Sequence, residues 1–115
     1  MHELSIANSI LEAVRAEAAR RPDARFLKVG VRVGELSGVE PEALSFSFQA
    51  LVKDSDLEPL TLEIERRPRC QCCPACGRVF RVHDYDITCP DCGEGRTRCI
   101  SGHELEMIYL ELEDV

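Results

Sequence analysis

The chain has 115 residues, a formal net charge of −7 and a hydrophobic content of 44%. This length allows one small domain and an additional small module that a metal ion would stabilise. No apolar run approaches the roughly 18 residues that a membrane helix needs. We therefore expect a soluble, cytoplasmic protein without a membrane partner, and the acidic balance disfavours binding to the phosphate backbone of a nucleic acid.

The first two predicted elements are a helix and a strand. Between Ser5 and Arg21 the apolar residues recur at helical spacing, and Pro22 ends the pattern. Residues 27–34 then alternate between apolar and polar or small side chains, which predicts a strand that is buried on one face and ends at Gly34. The helix residues that share the apolar stripe are Ile6, Ile10, Leu11, Val14 and Ala18.

Pro41 predicts the start of a second helix. Proline is favoured in the first helical turn, and the acidic residues Glu40 and Glu42 complement the positive end of the helix dipole there. Leu44, Phe48 and Leu51 are predicted to line the inner face of this helix, and Phe46 and Val52 to widen the apolar stripe.

Two further alternating segments, residues 60–65 and 104–113, predict a second and a third strand. Because the third strand follows a cysteine-rich stretch, the economical topology returns it to the first sheet. The predicted fold class is α+β, with a small mixed sheet, two helices and an inserted zinc-ribbon-like module. Residues 1–69 and 100–115 are predicted to form the α/β domain, and residues 70–99 the zinc-binding module.

Two matching Cys-Pro-x-Cys-Gly segments predict a tetrahedral zinc site. Each Cys-x-x-Cys turn lets two thiolates converge on one ion, and the glycine that follows permits the left-handed backbone of the turn. Four thiolates leave no open position for water or substrate, so the zinc is expected to be structural. The predicted ligands are Cys73, Cys76, Cys89 and Cys92.

Other interpretations of the cysteines are two disulfides or a redox-active Cys-x-x-Cys pair. Residues 1–5 do not resemble a secretion signal, which favours a reducing compartment and zinc over disulfides. Cys70 and Cys73 also have the spacing of a zinc knuckle, but only Cys73 with Cys76 repeats the form of the second segment. We expect the spare thiols to be small core or surface residues; they are Cys70, Cys72 and Cys99.

Arginines are concentrated around the predicted zinc site. Residues 66–99 contain seven arginines and four acidic residues, whereas the rest of the chain carries a formal charge of −10. Four zinc-bound thiolates would reduce the charge of the module to about +1. A zinc-ribbon module that binds nucleic acid or another protein is therefore an alternative function.

The segment Met1-His2-Glu3 has the donor set of a nitrogen chelate. Met1 offers its α-amino group, His2 its imidazole and backbone nitrogen, and Glu3 a further amide that would complete a square plane. Such nitrogen-rich sites suit Ni²⁺ or Cu²⁺, and the Glu3 carboxylate is a further donor or orienting group. From these residues alone, a frayed terminus without function is the alternative. We expect His83 and His103 to be solvated or packed rather than to bind metal.

Several segments of the sequence, taken together, resemble those of a known family. They are Met1–Ala7 (MHELSIA), Val33–Val39 (VGELSGV), Pro41–Leu44 (PEAL), the two cysteine segments and Ser101–Leu105 (SGHEL). Along its whole length the chain is similar to the HypA/HybF hydrogenase maturation proteins, which are nickel metallochaperones.

The resemblance implies a nickel-binding α/β domain and a zinc-ribbon-like domain, without catalysis. It implies that His2 is the principal nickel ligand, with the Met1 amine and with Glu3 as a ligand or supporting residue, and that the four cysteines named above hold zinc. The implied role is delivery of Ni²⁺ to the large-subunit precursor of a [NiFe] hydrogenase, together with a GTPase partner. Some relatives also serve urease, and a homodimer is compatible with the resemblance.

Overall fold

Helices and strands follow one another along the computed structural model, which describes residues 2–114. In chain order they are α1 (Glu3–Arg20), β1 (Ala24–Gly34), α2 (Pro41–Val52), β2 (Thr61–Arg67), β3 (Cys70–Cys72), β4 (Val79–Arg81), β5 (Arg98–Ser101) and β6 (Leu105–Asp114). The strands form two three-stranded sheets, in the orders β2-β1-β6 and β4-β3-β5. Within residues 2–114, no helix is long and apolar enough to cross a membrane.

The first sheet is mixed, as predicted. Its central strand β1 pairs in parallel with β2 and antiparallel with β6. The chain passes through α2 between β1 and β2, because parallel neighbours need a crossover connection. Strand β6 returns from the second sheet to β1, so the second sheet is an insertion. The domain boundaries at residues 69 and 100 stay a prediction, and β5 extends beyond residue 99 to Ser101.

The hydrophobic core lies between the two helices and one face of the first sheet. Alternate residues of β1 point into it, because the side chains of a strand alternate between its faces. Both helices contribute residues at helical spacing, as predicted. Among the most deeply buried side chains are Val14, Val29, Leu44 and Phe48.

Phe46 contradicts the predicted inner stripe of α2. Its side chain is 75% exposed, whereas Leu44 and Phe48 on either side of it are fully buried. Residues two positions apart in an α-helix differ by about 200° around the helix axis. Phe46 therefore lies on the opposite face from both Leu44 and Phe48. The apolar type of Phe46 favours the core, but the helical period places its side chain on the exposed face.

The other face of the first sheet carries opposite charges on neighbouring strands. Arg32, near the end of β1, lies 3.2 Å from a Glu65 oxygen on β2 and 3.0 Å from a Glu106 oxygen on β6. Lys28 Nζ lies 3.2 Å from Glu63. Cross-strand pairs of opposite charge stabilise a sheet, and these pairs connect all three strands on the solvent side.

The loop that follows β1 is hydrogen-bonded to both connections that lead to the second sheet. Glu35 donates its backbone N–H to the Arg67 carbonyl (3.0 Å), and its carboxylate accepts the N–H of Arg69 (2.7 Å). Leu36 donates its N–H to the Gly102 carbonyl (2.6 Å). One loop of the first domain therefore contacts the beginning and the end of the insertion.

Candidate metal centres

Four thiols converge beside the second sheet. Their sulfur atoms all lie within 4.8 Å of one another; they belong to Cys73, Cys76, Cys89 and Cys92. The Sγ atoms of Cys73 and Cys92 are 3.5 Å apart, and those of Cys76 and Cys89 are 3.6 Å apart. A tetrahedron with Zn–S bonds of about 2.3 Å has sulfur–sulfur edges of about 3.8 Å, so the four thiols match the size of a zinc site.

The two cysteine segments have the same backbone conformation. Gly77 donates its N–H to the Cys73 carbonyl (2.8 Å), and Gly93 donates its N–H to the Cys89 carbonyl (3.0 Å). Both glycines have positive φ angles, 78° and 77°, which favour glycine because it has no Cβ. The repeat in the sequence is therefore a repeat in structure, as the position of each glycine predicts.

The four thiols compete for protons when no cation is bound. Hydrogen bonds led by the backbone N–H of Cys92 lower the pKa of Cys89 to about 7. The N–H of Glu94 favours the Cys92 thiolate, but hydrogen bonding with the Cys73 sulfur and burial together raise the pKa of Cys92 to about 12. Four adjacent thiolates repel one another, so the donor set suits a divalent cation that replaces the protons.

Each cysteine segment contributes one buried and one exposed thiol. Cys73 and Cys89 are buried and pack with Phe80 in a small cluster, whereas Cys76 and Cys92 are exposed. The cluster contains few other large apolar side chains, as expected for a module that draws its stability from a metal.

The structure separates the spare thiols from this cluster. Cys70 and Cys72 lie on β3 and Cys99 on β5, all partly buried, and the Cys99 thiol donates to the Ser101 carbonyl (3.3 Å). Among the described residues, Cys70 is not part of the group of converging thiols. The first cysteine segment contributes Cys73 and Cys76 to that group instead of Cys70 and Cys73.

The histidines of the insertion and its end lie outside the thiol cluster. His83 is exposed in the loop between the cysteine segments, where its backbone forms an isolated antiparallel β-bridge with Asp86. His103 is exposed just before β6. Neither histidine is part of the described group of potential metal ligands. That they do not bind metal stays a prediction.

The amino-terminal candidates meet at the start of α1. His2 is the N-cap residue of α1, with an extended backbone (φ −79°, ψ 144°), and its exposed side chain makes no capping bond. The predicted ligand Met1 lies outside the described residues. The Glu3 carboxylate accepts the backbone N–H of Glu40 (3.2 Å), and this bond is the main reason why the pKa of Glu3 is lowered.

The bond from Glu40 to Glu3 was not anticipated from the sequence. It joins residues 37 positions apart and ties the start of α1 to the residue that precedes α2. No local pattern could reveal it, because hydrogen bonds between a side chain and a distant backbone depend on how the two helices pack. The carboxylate is therefore engaged with the protein, while the His2 imidazole faces solvent.

Comparison with known proteins identifies relatives along the whole chain. The family described as "Hydrogenase/urease nickel incorporation, metallochaperone, hypA" matches residues 1–112. The hydrogenase maturation factor HypA of Geobacter metallireducens is 42% identical over 113 residues, which cover 98% of this chain and 100% of the relative. The hydrogenase maturation factor HypA of Roseiflexus sp. is 41% identical over 115 residues. The matched region covers 99% of this chain and 94% of the relative.

Two solved structures share the fold. The solution structure of the Ni metallochaperone HypA from Helicobacter pylori matches with a TM-score of 0.61 at 24% identity, over the full length of both chains. A solution structure of a HypA protein matches with a TM-score of 0.68 at 23% identity, over 98% of this chain and 97% of the other. These matches confirm the mixed α+β fold, and the family match confirms the resemblance noted in the sequence.

Proposed function

Because this chain belongs to the HypA family of nickel metallochaperones, we propose that it binds Ni²⁺ at its amino terminus and delivers the ion to the large-subunit precursor of a [NiFe] hydrogenase. The observation that carries the proposal is the exposed His2 imidazole at the start of α1, whose side chain makes no capping bond to the helix. A GTPase maturation partner assists delivery. The chain acts in the cytoplasm as a carrier rather than as an enzyme.

The start of a helix is well suited to a chelate of backbone nitrogens. The first backbone N–H groups of an α-helix have no carbonyl acceptor within the helix. The amides of His2 and Glu3 could therefore release their protons to solvent and bind Ni²⁺ in their place without breaking helical hydrogen bonds. With the Met1 amine and the His2 imidazole they supply four nitrogens, the set that favours square-planar Ni²⁺.

The second proposed metal is a structural zinc ion held by the four converging thiols of Cys73, Cys76, Cys89 and Cys92. Bound there, zinc supplies cross-linking rather than reactivity, because four protein ligands complete its coordination. The closed thiolate site retains its ion, whereas the terminal site is exposed and can pass its ion to a partner by stepwise exchange of ligands.

A zinc-ribbon module that binds nucleic acid has less support. Several of the arginines that suggested it are already paired with carboxylates. These pairs are Arg67 with Glu65, Arg78 with Asp91 and Arg81 with Glu35. A charge that is neutralised within the protein contributes less to a contact with phosphate, and the chain as a whole is acidic.

Complementation tests nickel delivery. In a strain of the source organism that lacks this gene, the wild-type chain is expected to restore [NiFe] hydrogenase activity at low nickel concentration, and His2→Ala is expected not to. Excess nickel in the medium should restore activity with or without the variant, because mass action replaces delivery. Equal restoration by the wild-type chain and His2→Ala at low nickel would contradict the proposal.

A further inference from the structure

The insertion contains a buried polar side chain. Gln71, at the centre of β3, is 2% exposed, and among residues 2–114 it is the only polar or charged residue that is buried. It pairs across the sheet with Phe80 of β4, and directly opposite residues of antiparallel strands point to the same face. Phe80 packs with the buried thiol of Cys73. The Gln71 side chain therefore lies on the face of the second sheet that carries the thiol cluster.

The Gln71 amide begins a chain of two hydrogen bonds. Its Nε2 group donates to Thr97 Oγ1 (3.1 Å), and the Thr97 hydroxyl donates to the Ile87 carbonyl. A threonine hydroxyl has a single proton, so the bond to Ile87 obliges this hydroxyl to accept from Gln71. The amide is thereby fixed with its nitrogen toward Thr97. Its oxygen, Gln71 Oε1, is buried and has no hydrogen-bond partner within the described chain.

These two bonds hold the loop that carries the second cysteine segment. Ile87 precedes that segment in the chain, and Thr97 follows it immediately before β5. The bond from Thr97 to Ile87 therefore closes the loop at its base. The bond from Gln71 attaches the closed loop to β3, which is the strand that leads into the first cysteine segment.

The second cysteine segment has few other attachments. The first segment lies between the paired strands β3 and β4, and Cys73 donates its N–H to the Arg78 carbonyl (2.8 Å). By contrast, residues 87–97 contain no strand. Apart from the thiols, the described chain links the two segments directly by one further side-chain bond, from Arg78 to Asp91 (2.8 Å), whose side chains are 47% and 54% exposed. Such an exposed pair contributes little, so the buried bond from Gln71 is the stronger attachment.

Stability alone does not account for a glutamine at this position. A buried carbonyl oxygen without a partner costs free energy that an apolar side chain would avoid. Methionine is unbranched and of similar length, so it would fill the same space without an unpaired oxygen. What methionine cannot supply is the N–H group that holds Thr97.

We propose that Gln71 and Thr97 are positioning residues of the thiol site, which hold the second cysteine segment against β3 and thereby slow the release of zinc. This proposal rests on the proposed structural zinc ion. Release requires one pair of thiols to move away from the other, and the two hydrogen bonds oppose that movement. Groups that orient metal ligands typically contribute about 10–100-fold to metal affinity, so their loss should be measurable.

The rate of zinc release tests the positioning role. The zinc-loaded full chain is mixed with an excess of a chromophoric chelator, and the absorbance of the chelator–zinc complex gives the rate. Gln71→Met and Thr97→Val are expected to release zinc roughly 10-fold faster than the wild-type chain, because each interrupts the chain of hydrogen bonds. The double variant should release zinc no faster than the faster single variant, because the two residues act in one network.

Conservative and matched variants serve as controls. Thr97→Ser retains the hydroxyl and should release zinc at the wild-type rate. Gln49→Met makes the same exchange at an exposed glutamine of α2, in the first domain, and should also release zinc like the wild-type chain. Amide NMR spectra of each zinc-loaded variant should remain native, which shows that faster release does not come from an unfolded insertion.

The outcomes separate the positioning role from the zinc site itself. Equal release rates for the wild-type chain, Gln71→Met and Thr97→Val would overturn the positioning role and leave the zinc site intact. Equally fast release from Thr97→Ser and Thr97→Val would also overturn it, because the hydroxyl would then be irrelevant. If Gln71→Met does not fold, the comparison of these two Thr97 variants decides alone. A wild-type chain that takes up no zinc would overturn the positioning role and the zinc site together.

Discussion

His2→Ala is expected to abolish the tight nickel site while zinc content and thermal stability stay unchanged. In the proposed site, His2 supplies the imidazole and one backbone nitrogen of the chelate. Mutating groups that only orient a metal ligand usually lowers affinity by about 10–100-fold, so the loss of a direct donor should cost roughly 100-fold or more. The His2 side chain is exposed and makes no capping bond, so its removal leaves the core intact.

Calorimetric titration of the zinc-loaded protein with Ni²⁺ measures this effect. His83→Ala is the matched control, because it removes another exposed imidazole and should leave the titration unchanged. One additional residue before Met1 should weaken binding as His2→Ala does, because it displaces the α-amino donor. Equal nickel affinity for the wild-type chain and His2→Ala would exclude the terminal site.

Cys92→Ala is expected to unfold the insertion and leave the first domain folded. Zinc binding to such small modules provides about 10–16 kcal/mol of apparent free energy, and the apolar cluster beside the thiols is too small to replace it. Cys92 is an exposed residue, so its replacement by alanine opens no cavity in the core. The loss can then be assigned to the metal rather than to packing.

Amide NMR spectra combined with a zinc assay test this expectation. Signals of residues 70–101 should collapse to random-coil positions, while those of α1, α2 and β1 persist, and bound zinc should be lost. Cys99→Ala is the matched control, because Cys99 lies outside the thiol cluster and should retain zinc. A native spectrum for Cys92→Ala with a full equivalent of zinc would show that the thiol is not a ligand.

The elements that could be predicted from the sequence are those with a strong period. β1 alternates in the sequence and in burial, and α1 buries the stripe that its spacing predicts. Phe46 shows where residue type misleads, because the helical period places it outside despite its apolar ring. The contacts of Glu35 with the insertion could not be predicted, since they depend on how separate parts of the chain come together.

The candidate metal sites also combine features that the sequence predicts with contacts that it does not. The symmetry of the two cysteine segments selected Cys73 with Cys76 over the pair that begins at Cys70, and the thiols converge accordingly. That choice rests on local turn geometry, which the sequence encodes. The hydrogen bond between Glu3 and Glu40 depends on how the two helices pack, so it became visible only in three dimensions.

We expect zinc to stay in the thiolate site while nickel binds to nitrogen at the amino terminus. X-ray absorption spectroscopy at both metal edges, on the chain loaded with one equivalent of each metal, tests it most directly. We expect four sulfur neighbours at about 2.3 Å around zinc, and only nitrogen and oxygen neighbours around nickel. Sulfur neighbours around nickel, or release of zinc when nickel is added, would contradict the separation of the two sites.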